Sequence, residues 1–225
     1  MTKEIYTLLE NYMLSKMSDS AHDPEHIYRV LYSALDIAAT ESETDMDVLI
    51  AACLLHDVGR EAQFKDPSLC HARVGSEMAY NFLLENGFEK AFAVRVCDCI
   101  RTHRYRSNDL PQSIEAKILF DSDKLDVVGA VGIARTFLYN GNVHEPIYTR
   151  AADGTISDGT QSDAPSFFHE YKRKLEGIYD KFFTVRGAEL AQARRKAAAD
   201  YYEALLKEVK EPETAGREIL KNILK

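Results

Sequence analysis

The stretch Asp45–Glu61, "DMDVLIAACLLHDVGRE", decides how the chain is read. Val48 to Leu55 are all apolar, so a helix over Asp45–His56 has no polar face to turn to water and must be covered on every side. Such a helix sits at the centre of a bundle. It ends in adjacent His56 and Asp57, which brings two polar groups into an apolar interior just before Gly59. A His-Asp pair is a weak motif alone, and His22-Asp23 is another. Taken alone, it reads equally as a histidine near the negative end of a helix dipole beside a solvated carboxylate.

Outward from this stretch, apolar residues recur at three- and four-residue intervals, as in Ile5, Leu8, Leu9, Tyr12 and Ile27, Val30, Leu31, Ala34. Alternating β-branched runs are few, so the expected fold is all-α. Asp23-Pro24 supplies an N-cap and a proline at the first helical position, which puts His26 in the first turn of a helix running to about Ala39. Further helices are expected at about 71–86, 89–103, 113–126, 127–139, 166–183 and 188–209, with a short one after Pro212. From Asn140 to Ala164 the pattern lapses into a polar segment with Gly141, Pro146, Asp153-Gly154 and Asp158-Gly159, which reads as a lid or mobile loop.

A chain of 225 residues, 45% hydrophobic and undivided by any Pro/Gly/Ser-rich tract, is expected to form a single domain over 1–225. The net charge of -8 opposes an extended nucleic-acid surface but leaves small anionic substrates in play. Cys53, Cys70, Cys97 and Cys99 form no CxxC pair, and the N-terminus lacks a basic segment followed by an apolar core. A reduced, cytoplasmic location is expected, with no membrane partner, since no stretch approaches the length of a transmembrane helix. Cys97 and Cys99, two apart on a helix, point in different directions and read as ordinary thiols.

An ion that activates water on phosphate needs several oxygen or imidazole ligands plus open positions. Besides His56-Asp57, the chain offers His26 and the acidic cluster Asp121-Ser122-Asp123-Lys124-Leu125-Asp126 on an otherwise apolar helix. Through "HDPEHIYRV" (22–30), "LLHDVGRE" (54–61), "EAKILFDSDKLDVVGAVGIAR" (115–135) and "FFHEYKRKL" (167–175), the chain resembles the HD superfamily of metal-dependent phosphohydrolases. Its closer likeness is to small all-helical bacterial members, including nucleotide pyrophosphohydrolases, which implies a single-domain HD-type helical bundle with its metal motifs in 22–126.

The resemblance implies that His26, His56, Asp57 and Asp123 hold one divalent ion. Two imidazoles and two carboxylates suit Mn²⁺, our first choice, as well as Mg²⁺, Fe²⁺, Co²⁺ or Ni²⁺. It places His71 and His103 beside the ion, either on a second ion or against phosphate, as catalytic groups with Asp57, although each also reads as a polar helix-end residue. Glu61 is expected to orient water or to pair with Arg60. Lys124, Arg104, Arg106 and Arg135 form a local basic set suited to phosphate oxygens. Lys124 stands where many relatives carry arginine, and an ammonium does not make the bidentate contact of a guanidinium. His169 also matches the family, His144 reads as a surface residue, and "VGAVG" (128–132) reads as close helix packing.

The activity so implied is hydrolysis of a phosphoester or phosphoanhydride in a small nucleotide, foremost cleavage of a nucleoside triphosphate to monophosphate and pyrophosphate. Two other readings stand beside it, a metal-stabilised nucleotide-binding sensor with little turnover and a di-iron oxygenase. Outer helices leave room for a homodimer.

Overall fold

The computed structural model describes residues 1–17, 24–104 and 109–224. Helices account for the regular structure among these residues: α1 Lys3–Leu14, α2 Pro24–Ala38, α3 Met46–Leu55, α4 Arg60–Lys65, α5 His71–Glu85, α6 Lys90–Thr102, α7 Ile114–Leu125, α8 Gly129–Asn142, α9 Phe167–Glu170 and α10 Val185–Ile223. The all-α expectation holds. Where the sequence reading expected one domain, the chain divides into two compact units, 1–126 with 182–190, and 127–181 with 191–225.

In the first unit α3 is the central helix, and Val48, Leu49 and Ala51 through Leu55 are all completely covered. It packs against α1, α2, α6 and α7, while α5 lies along α6. Local chemistry sets the starts. The Asp45 side chain accepts from the backbone N–H groups of Asp47 and Val48, and Ser113 accepts from Ala116 N–H at the start of α7. Pro24 opens α2 as expected; the cap assigned to Asp23 lies outside the described residues.

One further tie belongs to this unit. The Asp121 carboxylate on α7 accepts from the backbone N–H groups of Phe183 and Thr184 and from Thr184 Oγ1 at 2.7 Å, so it holds the chain just before α10 begins. Burial raises its carboxyl above the usual range. Asp121, a member of the acidic cluster 121–126, thus makes its contacts with the α10 entry.

The second unit is built on aromatic packing. Phe167, Phe168, Tyr171 and Tyr202 are buried with Ile133, Ile156, Leu175 and Ala198, and Tyr171 stacks on Tyr202 with centroids 4.1 Å apart. The single helix expected over 166–183 is broken here. α9 passes into a π-helical turn at Tyr171–Leu175 and then a 3₁₀ turn at Ile178–Asp180, separated by Gly177. Tyr171, which stacks on Tyr202, is the first residue of the wider turn.

The segment 140–164, expected as a lid or mobile loop, is fastened into this unit. Phe167 and Phe168 N–H donate to the Pro146 and Ile147 carbonyls, Tyr202 Oη donates to Asp158 O at 2.6 Å, and Ile156 is buried. Arg150 and Arg217 both donate to Gly154 O and both pair with Glu213. Those last contacts lie on the turn after Pro212, and α10 continues through the proline where the sequence reading placed a break. A proline removes one helical hydrogen bond, and Glu213 on the following turn is tied to Arg150 and Arg217.

Candidate metal centre

Four histidines of the first unit meet at its interior, each from a helix end. His26 lies in the first turn of α2, His56 follows α3, His71 opens α5 and His103 follows α6. All four are buried. A glycine pair makes their approach possible. A Cβ on Gly59 would lie 2.4 Å from His71 O and 2.5 Å from Gly75 N, so only glycine lets the start of α5 press against the turn carrying His56 and Asp57.

Each ring is fixed through Nδ1. His26 Nδ1 is 2.7 Å from Asp126 Oδ2, His56 Nδ1 2.7 Å from Cys53 O, His103 Nδ1 2.5 Å from Ile100 O and His71 Nδ1 2.6 Å from Gln63 Oε1. These partners are acceptors, so the rings donate from Nδ1 and turn an Nε2 lone pair inward. Asp126 is itself held by a two-point contact from Arg29, with Nε at 2.8 Å and Nη2 at 3.0 Å. The arrangement is a carboxylate behind a ligand histidine, which orients the ring and raises its basicity.

The inward Nε2 atoms converge on Asp57. Oδ2 lies 3.5 Å from His26 Nε2 and 3.7 Å from His56 Nε2, and Oδ1 lies 3.6 Å from both His71 Nε2 and His103 Nε2. Asp123 Oδ1 is 3.5 Å from His26 Nε2 and 3.9 Å from His56 Nε2. Two groups of three could hold a metal, His26/His56/Asp123 and Asp57/His71/His103, each with its donor atoms within 4.8 Å of one another. The sequence had put Asp57 with the first group; the structure sets it between the two.

Electrostatics favour a cation here. Burial pushes His56 down to about 4, keeping it neutral near pH 7. Burial, then the Arg60 guanidinium, drive His71 far below its usual range. Burial alone would raise Asp57, but Arg60 and the neighbouring imidazoles outweigh it and hold the carboxyl well below the usual range. The same imidazoles overcome burial at Asp123. Asp57 Oδ2 is buried with no hydrogen-bond partner, and the Nε2 atoms of His26 and His56 face each other at 3.3 Å. Two lone pairs and a bare carboxylate oxygen at such distances fit a divalent ion.

The other expected residues divide. The Lys124 ammonium stands 3.3 Å from the centre of the Phe120 ring and 5.5 Å from that of Phe182, a cation–π placement in which the lysine is almost covered. Arg104 donates to Cys70 Sγ at 3.4 Å, next to His71. Glu61 is not brought to the group; its carboxylate pairs with Lys65 at 2.5 Å, and Arg60 turns to Asp57 Oδ1 at 2.9 Å. Arg106 lies outside the described residues. Arg135 and His169 belong to the second unit, where His169 faces Gly159 O, and His144 is exposed.

Sequence reasoning missed the orienting roles of Asp126, Arg29 and Gln63. Asp126 had a signal, standing three residues after Asp123 at the end of the same helix, whereas nothing in the sequence pairs Gln63 with His71.

The HD domain family matches residues 25–128. The chain is 31% identical over 194 residues to YpgQ of Bacillus subtilis, covering 84% of this chain and 85% of YpgQ. The crystal structure of YpgQ in complex with ADP is similar at TM-score 0.70 and 28% identity, over 92% of this chain and 98% of that one. A predicted HD superfamily hydrolase from an uncultured Thermotogales bacterium is similar at TM-score 0.59 and 28% identity, over 92% of each chain.

Proposed function

Because the chain belongs to the HD domain family, we propose that it is a metal-dependent phosphohydrolase acting on a small nucleotide, with cleavage of a nucleoside triphosphate to monophosphate and pyrophosphate as the foremost reaction. The observation that carries this reading is the convergence of four Nδ1-anchored histidines on Asp57, whose Oδ2 has no hydrogen-bond partner. The nucleotide half is supported by the similarity to YpgQ, which has been crystallised with ADP.

In this reading His26, His56, Asp123 and Asp57 Oδ2 hold one divalent ion, with Mn²⁺ preferred. Such an ion, when bound, acidifies water and polarises a phosphoryl oxygen. His103 presents Nε2 on the other side of Asp57, placed to take a proton during attack on phosphorus, and His71 Nε2, 3.3 Å from it, faces the same side. Arg104 supplies positive charge beside His71 for phosphate oxygens, with Arg106 a candidate for the same task. Lys124 acts through charge at the end of α7, its ammonium resting against Phe120. Glu61 has no part in this scheme while it is paired with Lys65.

The test is product analysis with nucleoside mono-, di-, tri- and cyclic phosphates under Mn²⁺, Mg²⁺, Co²⁺, Ni²⁺ and Fe²⁺. Monophosphate and pyrophosphate from a triphosphate are expected. No turnover above an Asp57→Ala control with any nucleotide would favour the sensor, and oxygen consumption with iron would favour the oxygenase.

A further inference from the structure

Asp57 serves both groups of potential ligands with one carboxylate, and its two oxygens are not equivalent. Oδ2 has no hydrogen-bond partner, whereas Oδ1 accepts from Arg60 Nε at 2.9 Å. The Arg60 side chain is only 25% exposed, so its charge is weakly screened there.

The surroundings of the two groups differ in the same sense. The His26/His56 side has its own carboxylate in Asp123, and His26 is backed by a second in Asp126. The His71/His103 side has none of its own among the described residues. Its histidines are backed by a neutral amide, Gln63, and a backbone carbonyl, Ile100. Arg60 lies against the shared oxygen, and Arg104 stands beside Cys70 at the head of α5. With one divalent ion bound, Asp57 and Asp123 balance its charge; a second ion would bring two more positive charges to Arg60 with no further carboxylate to offset them.

We infer that Arg60 fixes this site at one divalent ion, its guanidinium on Asp57 Oδ1 standing where the charge of a second ion would otherwise be placed. Arg60 is thereby the residue that decides stoichiometry, and His71 and His103 are left facing substrate although their geometry with Asp57 could ligate. The inference rests on the metal-binding part of the proposed function.

It is tested by calorimetric Mn²⁺ titration and elemental analysis of the full chain, with circular dichroism to confirm folding. Wild type is expected to take one equivalent, any second binding about a hundredfold or more weaker. Arg60→Met and Arg60→Gln remove the charge and keep every ligand. Both are expected to take two equivalents and to give the multiline electron paramagnetic resonance spectrum of a coupled ion pair. Arg60→Lys is expected to keep one. Two tight equivalents in wild type, or one in folded neutral variants, overturn the inference while leaving metal binding intact. No ion in wild type overturns both; the wild-type titration decides even if a variant fails to fold.

Discussion

Each histidine enters the site with its Nδ1 side held by a specific acceptor, and removing that acceptor should be felt at the ion rather than in the fold. Asp126→Ala leaves His26 in place but frees its Nδ1 side. We expect metal affinity to fall by about 10- to 100-fold, read by competition with a chelator; unchanged affinity would mean that Asp126 only ties Arg29. On the other side of Asp57, His103→Ala should retain the ion and lose turnover by about a hundred- to ten-thousandfold, because a proton-transfer group is removed rather than a ligand. Loss of the ion in proportion to activity would make His103 a ligand. Much at this scale was legible: the resemblance to the HD superfamily marked His26, His56, Asp57 and Asp123, and the structure does bring these residues near one another. Arg60 was not, since an arginine at i+3 from Asp57 and adjacent to Glu61 can pair with either, and only three-dimensional placement decides.

Helices position these side chains, and the tightest constraint is between two of them. Gly59→Ala would place a methyl 2.4 Å from His71 O, so α5 must shift away from the His56-Asp57 turn. Overpacking of this kind costs about 1–3 kcal/mol, and a fall in melting temperature of several degrees is expected, accompanied by weaker metal binding. An unchanged melting temperature would show that α5 can move without cost. The apolar run of α3 was readable as a central helix because no arrangement exposes one of its faces without loss. The break-up of 166–183 was not readable, because the aromatic spacing of Phe167, Phe168 and Tyr171 is compatible with an uninterrupted helix until Tyr202 is known to lie against them. Pro212 misled for the converse reason: a proline is a sound stop signal, yet α10 runs on through it, and the tie of the adjacent Glu213 to Arg150 is a contact distant in sequence.

At the scale of the molecule, the buried ionisable cluster should set how stability depends on acidity. His56 is held at about 4 in the folded chain, against about 6.5 when unfolded. Its folded value is depressed, so at neutral pH the ring is neutral in both states and costs nothing. As pH falls from about 6.5 towards 4, the unfolded chain takes a proton that the folded chain refuses, and stability drops by about 3 kcal/mol from this residue alone. The metal-stripped protein should therefore lose melting temperature steadily over that window, which thermal denaturation across pH will read; a flat profile would contradict the burial of a neutral His56. Among the described residues no helix is long and apolar enough to cross a membrane. The division at Asp126 had no signal in composition, because the chain passes from α7 to α8 without the polar linker that usually marks such a boundary. The account turns on whether the imidazole and carboxylate cluster holds an ion that drives phosphoanhydride cleavage. The most direct measurement is consumption of a nucleoside triphosphate by metal-stripped protein as Mn²⁺ is added back, alongside the His56→Ala/Asp57→Ala variant. Turnover that is absent without metal, rises to saturation with it and never appears in the variant is the predicted result; turnover that survives chelation, or is equal in the variant, would contradict it.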